Sequence, residues 1–142
     1  DLFQRLAGLE RRSLGSADAD HFPGHGVVAL AGGTILRLKG TKANNTNISA
    51  AFLQEIEKGG YYAMLYCSKD FLDNHLLPER LTAYDKWIAQ YASKCTSAHK
   101  HGIWQYSGNG RVPGIPVQVD LNYAYKDYPG IIRRAGLNRL EE

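Results

Sequence analysis

Three short segments with one shared layout limit what this chain can fold into. They span residues 84–91, 101–107 and 117–123, and each follows a turn-prone or polar stretch, runs through β-branched and aromatic residues, and ends on hydrogen-bonding side chains. Such residues suit a pleated, half-buried surface, so each segment is predicted to be a β-strand. Because alternate residues of a strand point to opposite faces, one set is expected to pack inward while residues at the strand ends line a rim.

The first two strand segments repeat the same order of side chains, a tryptophan followed by glutamine and tyrosine. The residues are Trp87, Gln90 and Tyr91 in one segment and Trp104, Gln105 and Tyr106 in the next. Aromatic planes beside amides and carboxylates suit a sugar, whose C–H faces stack on rings and whose hydroxyls need polar partners. The competing interpretation is that these rings only fill a core, since large aromatics dominate buried surface.

Five short motifs occur in a fixed order along the second half of the chain. They are YYAMLYCS at 61–68, WIAQY at 87–91, GIWQYS at 102–107, VPGI at 112–115 and VDLN at 119–122. Together they resemble the C-terminal half of the family-25 glycoside hydrolases, the bacterial and phage N-acetylmuramidases often called lysozymes, over about residues 41–132. The resemblance implies an α/β fold, namely the C-terminal half of an irregular, TIM-type (β/α) barrel. Residues 1–40 show no such resemblance.

The resemblance also implies a function and a set of site residues. The expected reaction is hydrolysis of the β-1,4 bond from N-acetylmuramic acid to N-acetylglucosamine in peptidoglycan, without a metal or an organic cofactor, outside the cell or at the cell wall. Asp120 would be an active-site carboxylate that stabilises the cationic sugar or orients its N-acetyl group, with Asn122 completing the motif. The residues expected to shape the groove are Tyr66, Trp87, Gln90, Tyr91, Trp104, Gln105 and Tyr106.

The proton donor of such a reaction is not recognisable in the sequence. Glycosidic cleavage generally uses two carboxyl groups, one protonated and one ionised. The family supplies Asp-x-Glu from a strand near mid-chain, and the nearest match here, Asp18-Ala19-Asp20, lacks both the Glu and a preceding apolar strand. Glu55 and Glu57 fall on a predicted, solvated helix face. The acid is therefore within the first 40 residues, supplied by another chain, or missing.

If the acid is missing, the chain is a catalytically inactive fragment that binds cell-wall glycan or forms an oligomer. A half barrel exposes sheet edges, and exposed edges favour pairing with another chain. Hydrolysis of peptidoglycan and binding without hydrolysis are thus the two functions that the sequence supports.

Length and composition bound these alternatives. A chain of 142 residues with 44% hydrophobic and 22% charged residues is typical of one globular domain. The net charge of +3 gives no case for nucleic acid, although it would favour an anionic cell wall. No apolar run is long enough to span a membrane and no signal peptide is visible at the start. Since the first residue is not Met, we expect a processed or trimmed chain.

Periodicity and turn signals predict the remaining elements. A helix is expected over residues 1–15, a hairpin with strands at 26–30 and 34–39, a helix from about 45 to Gly59, and a strand at 61–66. Ser68 is predicted to cap a short helix that ends near residue 75, and residues 133–142 are expected to be a polar tail. Cys67 and Cys95 are predicted to be free thiols, with Cys67 packed in a strand.

Overall fold

The computed structural model describes the backbone of residues 26–29 and 35–138, and the side chains of residues 38–138. Its six strands form one mixed sheet with the order β2-β1-β3-β4-β5-β6. The strands are β1 Gly26–Ala29, β2 Ile35–Leu38, β3 Met64–Ser68, β4 Asp85–Ala89, β5 Ile103–Gly110 and β6 Val119–Ala124. Strands β3, β4 and β5 are mutually parallel, whereas β1, β2 and β6 pair antiparallel with their neighbours.

Within the described residues, three α-helices accompany the sheet, namely α1 Lys42–Lys58, α2 Lys69–His75 and α3 Tyr128–Arg134, and one 3-10 turn spans Pro78–Arg80. Each of the first two helices begins at a hydroxyl cap. The Thr41 hydroxyl accepts from the amide of Asn44, and the Ser68 hydroxyl accepts from the amide of Phe71. These caps satisfy amide groups that the first turn of a helix leaves without a partner.

The hydrophobic core lies between one face of the sheet and helices α1 and α2. Leu53 of α1, Leu65 of β3, Leu72 of α2 and Ile88 of β4 are completely buried there. Asn45 ties α1 to the rest of this layer, because its side chain donates to the carbonyl groups of Gly40 and His75. The buried amide thereby joins elements that are distant in sequence.

Most of the predicted elements are present, with shifted ends. The hairpin of β1 and β2, the cap at Ser68 and the burial of Cys67 in β3 are confirmed, and both cysteines are free thiols. Helix α1 begins at Lys42, earlier than predicted, because Thr41 is its cap. The predicted helix at 1–15 and the last part of the polar tail, 139–142, lie outside the described residues.

The sheet confirms the α/β class and corrects one prediction about its last strand. A (β/α) barrel would have its last strand parallel to the others with Asp120 at the carboxyl end, but β6 runs antiparallel to β5 and Asp120 is its second residue. The first residues of an antiparallel strand lie beside the last residues of its neighbour. Asp120 therefore still lies at the edge where the parallel strands β3, β4 and β5 end.

The opposite end of the sheet is anchored by Asp85 at the start of β4. Its carboxylate accepts from the hydroxyl groups of Tyr62 at 2.8 Å and Tyr128 at 3.0 Å and from the ammonium group of Lys126 at 2.8 Å. Burial alone would raise the pKa of Asp85, but these hydrogen bonds outweigh burial and hold the pKa below its ordinary value. The contacts fasten helix α3 to the sheet.

We expect a Gly102→Ala substitution to loosen this anchor. A methyl group on Gly102 would occupy the position of the Tyr128 hydroxyl, so Tyr128 must move away from Asp85. The free energy of unfolding should fall by about 1–3 kcal/mol, as measured by urea denaturation. In a Tyr128→Phe background, which lacks the hydroxyl, the same glycine substitution should lower the free energy of unfolding by clearly less. Equal costs in both backgrounds would contradict this account.

Candidate functional site

Strand register brings five of the predicted site residues to the sheet face that is turned away from the core. Tyr66 lies opposite Trp87, Ala89 lies opposite Gln105, and Gln105 lies opposite Asn122. Residues paired in this way project to the same side of a sheet, as do residues two apart on one strand. We call this surface the site face, and its members are Tyr66, Trp87, Gln105, Asp120 and Asn122.

Gln105 is the buried centre of the site face. The residue is 3% exposed, and its side-chain oxygen accepts from the hydroxyl of Tyr66 at 2.8 Å and from that of Tyr91 at 3.2 Å. Burial raises the pKa of Tyr66 well above its ordinary value, and the nearby Tyr91 and Asp120 raise it further. Tyr66 therefore remains a neutral donor at physiological pH, and the two tyrosines hold the amide of Gln105 in one orientation.

Trp87 gives the site face its aromatic surface. Its ring meets the ring of Tyr66 edge to face, with 5.3 Å between the centroids, and its indole N–H donates to the side-chain oxygen of Asn122 at 2.8 Å. Because that oxygen is an acceptor, the amide nitrogen of the exposed Asn122 can donate to a ligand. An oriented ring beside an oriented amide is an arrangement suited to a sugar.

The carboxylate of Asp120 has one oxygen whose hydrogen-bonding capacity is not used within the part of the chain that the structure describes. Among the described residues, its Oδ1 is the only buried side-chain oxygen or nitrogen without a hydrogen-bond partner. Burial raises the pKa of the carboxyl group above its ordinary value. A methyl group placed on Gly108 would lie 3.4 Å from this oxygen and 3.1 Å from the hydroxyl of Tyr91. Leaving a buried polar atom unpaired costs about 1–3 kcal/mol, and such atoms in native proteins often have a functional reason.

Trp104 and Tyr106 do not lie on the site face. Trp104 lies opposite Ile88, one position out of step with the pairing of Trp87 and Ile103, so it projects to the other side of the sheet. There it contacts Tyr106, and both rings contact Tyr123. The prediction that these two residues share a groove with Trp87 is therefore wrong, because a shift of one residue reverses the face.

The side chain of Gln90 is held within the loop that follows β4. Its side chain forms two hydrogen bonds with Thr96, one to the hydroxyl and one from the backbone amide, each 2.8 Å long. Its backbone carbonyl accepts from the indole N–H of Trp104 at 2.8 Å. Gln90 thus shapes the loop after β4, whereas the neighbouring Tyr91 reaches Gln105.

Gly108 was not predicted to belong to the site. In β5 it lies close to both Tyr91 and Asp120, and any larger residue would narrow the space between them. Glycine within a strand often marks a place where a ligand or another chain segment approaches closely. The glycines at 108, 110 and 114 are the signal in the sequence that could have pointed to this position.

No second carboxyl group of the described residues could be placed beside Asp120 on the site face. Asp85 is on the same face but is level with Met64, at the other end of β4, where it is bonded to Lys126. Four residues separate it from Ala89, which is roughly 13 Å of strand, beyond the 5–9.5 Å that paired acids use. Glu55 and Glu57 are exposed on α1, and residues 18–20 lie outside the described part of the chain.

The described residues contain neither a candidate metal site nor a candidate membrane-spanning helix. Within residues 26–29 and 35–138, no three His, Cys, Asp or Glu side chains come together in a way that could hold a metal ion. None of the helices in the described part of the chain is long and apolar enough to cross a bilayer.

We expect an Asp120→Asn substitution to stabilise the protein at neutral pH. Since burial raises the folded-state pKa of Asp120, the folded protein binds the proton more tightly than the unfolded chain does. Stability is then highest below the unfolded pKa of about 3.9 and falls as pH rises through the folded pKa. Thermal unfolding should give a higher Tm for the variant at pH 7 and a smaller difference at pH 4. A Tm lowered equally at both pH values would contradict this explanation.

Comparisons with known proteins bear on the fold and on the family of the chain. Among solved structures, the crystal structure of the CTP1L endolysin, whose activity is regulated by a secondary translation product, superposes with a TM-score of 0.54 and is 29% identical over 63% of this chain and 33% of that one. The chain thus spans about a third of the length of that endolysin. A comparison with curated proteins gave no match.

A family model identifies the relatives of the chain more directly. The model described as glycosyl hydrolases family 25 matches residues 18–115. The match begins 23 residues before the resemblance that the motifs indicated, so the family model also covers residues 18–40, in which no resemblance was expected. It ends before Asp120, whose assignment depends on the geometry described above. Because the match covers more than half of the sequence, the chain belongs to family 25 of the glycosyl hydrolases.

Proposed function

We propose that this chain is a lysozyme-type peptidoglycan hydrolase domain that cleaves the β-1,4 bond from N-acetylmuramic acid to N-acetylglucosamine. The observation that carries the proposal is the buried, unpartnered carboxylate oxygen of Asp120 on the same face as Trp87 and Asn122. Family membership and the likeness to an endolysin support the choice of substrate class. The substrate would be met outside the cytoplasm, at the cell wall.

The site face offers a sugar both an aromatic ring for stacking and polar groups for hydrogen bonds. The ring of Trp87, steadied by its hydrogen bond to Asn122, can stack on the C–H face of one pyranose. The amide nitrogen of Asn122 can donate to a hydroxyl or to an acetamido carbonyl oxygen. Gln105 and its two tyrosine partners form a fixed polar floor beside them. These residues are the substrate-binding set that we propose.

Asp120 would act through its negative charge. Cleavage of a glycosidic bond places positive charge on the sugar ring, and a carboxylate held in a partly buried position stabilises that charge more strongly than it would in water. The unpartnered oxygen can alternatively accept from the N–H of a 2-acetamido group and so orient the substrate. The proton for the leaving oxygen must come from a second carboxyl group that is not part of the site face.

We also infer that the open sheet is the C-terminal half of a (β/α) barrel. Helices α1 and α2 pack on the core side of its three parallel strands, and β2 and β6 are edge strands among the described elements. The likeness to about a third of an endolysin chain supports this inference. The missing carboxyl group would then belong to residues before β1, which include Asp18 and Asp20, or to a second chain that completes the barrel.

One observation favours the alternative function, binding of cell-wall glycan without cleavage. Asp85 is the other carboxylate on the sheet face of Asp120, and it is bonded to three donors at the far end. If no further acid reaches Asp120, the site face keeps its ring and amides but lacks a proton donor.

Release of dye from labelled cell walls tests hydrolysis. We expect the wild-type chain to release dye and Asp120→Asn to lower the rate by about a hundredfold or more, because the charge that stabilises the transition state is removed. Asp70→Asn, which removes a carboxylate whose side chain is 75% exposed on α2, is the matched control and should retain the wild-type rate. Equal rates for wild type and Asp120→Asn would exclude hydrolysis at this site.

Sedimentation with insoluble peptidoglycan tests binding separately from turnover. We expect Trp87→Ala to weaken binding by about tenfold, because the stacking surface is lost. Tyr125→Ala is the control, since Tyr125 is 58% exposed and lies two positions after Tyr123, which contacts Trp104 on the other side of the sheet. Binding that depends on Tyr125 and not on Trp87 would place the glycan on the wrong face for this proposal.

A further inference from the structure

The hairpin formed by β5 and β6 extends well past the ends of the other parallel strands. Gln105 is level with Ala89, the last residue of β4, but β5 continues for five more residues to Gly110, which pairs with Val119. Five residues of strand correspond to roughly 16 Å. We call residues 106–119 the arm and residues 111–118, which join its two strands, the tip.

The tip combines exposed apolar side chains with one positive charge. All eight of its residues are exposed, and Val112, Ile115 and Val117 are 42%, 43% and 64% exposed. Arg111 stands beside them at the start of the tip. Single apolar residues are common on protein surfaces, whereas clustered exposed apolar residues often mark an interaction site.

The tip is also held in a defined shape. The amide of Ile115 donates to the carbonyl of Val112 at 3.0 Å, and the two residues between them are Pro113 and Gly114, the latter with a φ of 87°. This is the sequence and backbone of a type II turn, in which glycine takes the position that requires a positive φ. A turn that is ordered before binding loses little conformational entropy when a partner arrives.

The tip is continuous with the site face. Val117 precedes Asp120 by three residues, and Gly108, at the base of the arm, lies close to the unpartnered oxygen of Asp120. A glycan strand that lies over Trp87 and passes Asp120 must therefore run beside the arm. Whatever that strand carries as a substituent comes within reach of the tip.

We propose that the tip binds the stem peptide that muramic acid carries in peptidoglycan. The inference rests on the proposed function and names a second part of the same substrate. Stem peptides are short, carry the methyl groups of alanine, and bear free carboxylates. The aliphatic side chains of Val112, Ile115 and Val117 match the methyl groups, and the guanidinium of Arg111 matches a carboxylate. The glycan backbone itself offers neither aliphatic side chains nor these carboxylates.

The test compares binding of soluble glycan strands that retain their stem peptides with binding of strands from which an amidase has removed them. The wild-type chain should bind the peptide-bearing strands about five- to tenfold more tightly, as measured by calorimetry. The double variant Ile115→Ser/Val117→Ser should lose most of this preference while its affinity for the peptide-free strands stays within twofold of wild type. Arg111→Gln should lose part of the preference for peptide-bearing strands.

Matched controls remove exposed groups of the same kind elsewhere. Ile48→Ser on α1 removes an isoleucine that is 48% exposed, and Arg133→Gln on α3 removes an exposed arginine. Both should keep the wild-type preference. A preference that survives in the double variant overturns the assignment of the tip but leaves the proposed function standing. Failure of wild type to bind either strand overturns the proposed function itself.

One further outcome would replace the stem peptide with a different occupant. If light scattering shows that the wild-type chain is a dimer and the double variant a monomer, the tip is a contact between two copies of this chain, and the peptide assignment is overturned.

Discussion

The register between the parallel strands β3, β4 and β5 determines both the core and the site. Because side chains alternate along a strand, the register that buries Leu65 and Ile88 under the helices necessarily turns Tyr66 and Trp87 to the other face. A slip of one residue would exchange the two sets. The hydrophobic effect that stabilises the core therefore also selects the residues of the site face, with no separate interaction needed to gather them.

Asp85 and Asp120, which lie at opposite ends of the same side of the sheet, show how the same residue type acquires opposite properties. Asp85, at the start of β4, receives hydrogen bonds from Tyr62, Tyr128 and Lys126, which together outweigh its burial and hold its pKa low. Asp120, near the other end of the sheet, has a buried oxygen without a partner, and burial raises its pKa. The satisfied carboxylate holds the fold together, whereas the unsatisfied one is available to a ligand. Environments that push the pKa values of two acids apart often distinguish structural from functional groups.

Local signals in the sequence predicted local structure well. The cap at Ser68, the hairpin of β1 and β2 and the burial of Cys67 each depend on a few neighbouring residues, and the structure confirms them. Register and strand direction depend on pairing between distant segments, which propensity does not encode. This is why Trp104 was predicted on the wrong face and β6 in the wrong direction. The hydrogen bonds of Gln90 to Thr96 could not be predicted for a related reason, since they arise from a loop conformation.

The family could be recognised from motifs alone, whereas the full extent of the match could not. The five motifs lie between residues 61 and 122, but the family model also covers residues 18–40, where Asp18-Ala19-Asp20 is only a partial match to a family motif. The residues of the site were likewise only partly recognisable from the sequence. Asp120 was found through its motif, while its closeness to Gly108 and Tyr91 became visible only when β5 and β6 were paired. Short motifs identify residues, and long-range pairing brings those residues together.

The central claim is that a glycan lies on the face of the sheet that carries Asp120. The two tryptophans provide a direct test, because the indole N–H of Trp87 donates to Asn122 on that face and the indole N–H of Trp104 donates to the carbonyl of Gln90 on the other side. A two-dimensional ¹⁵N–¹H spectrum resolves both indole signals and can be followed while soluble peptidoglycan fragments are added. The signal of Trp87 should shift in a saturable way while that of Trp104 stays in place. A shift of Trp104 with Trp87 unchanged would contradict the claim.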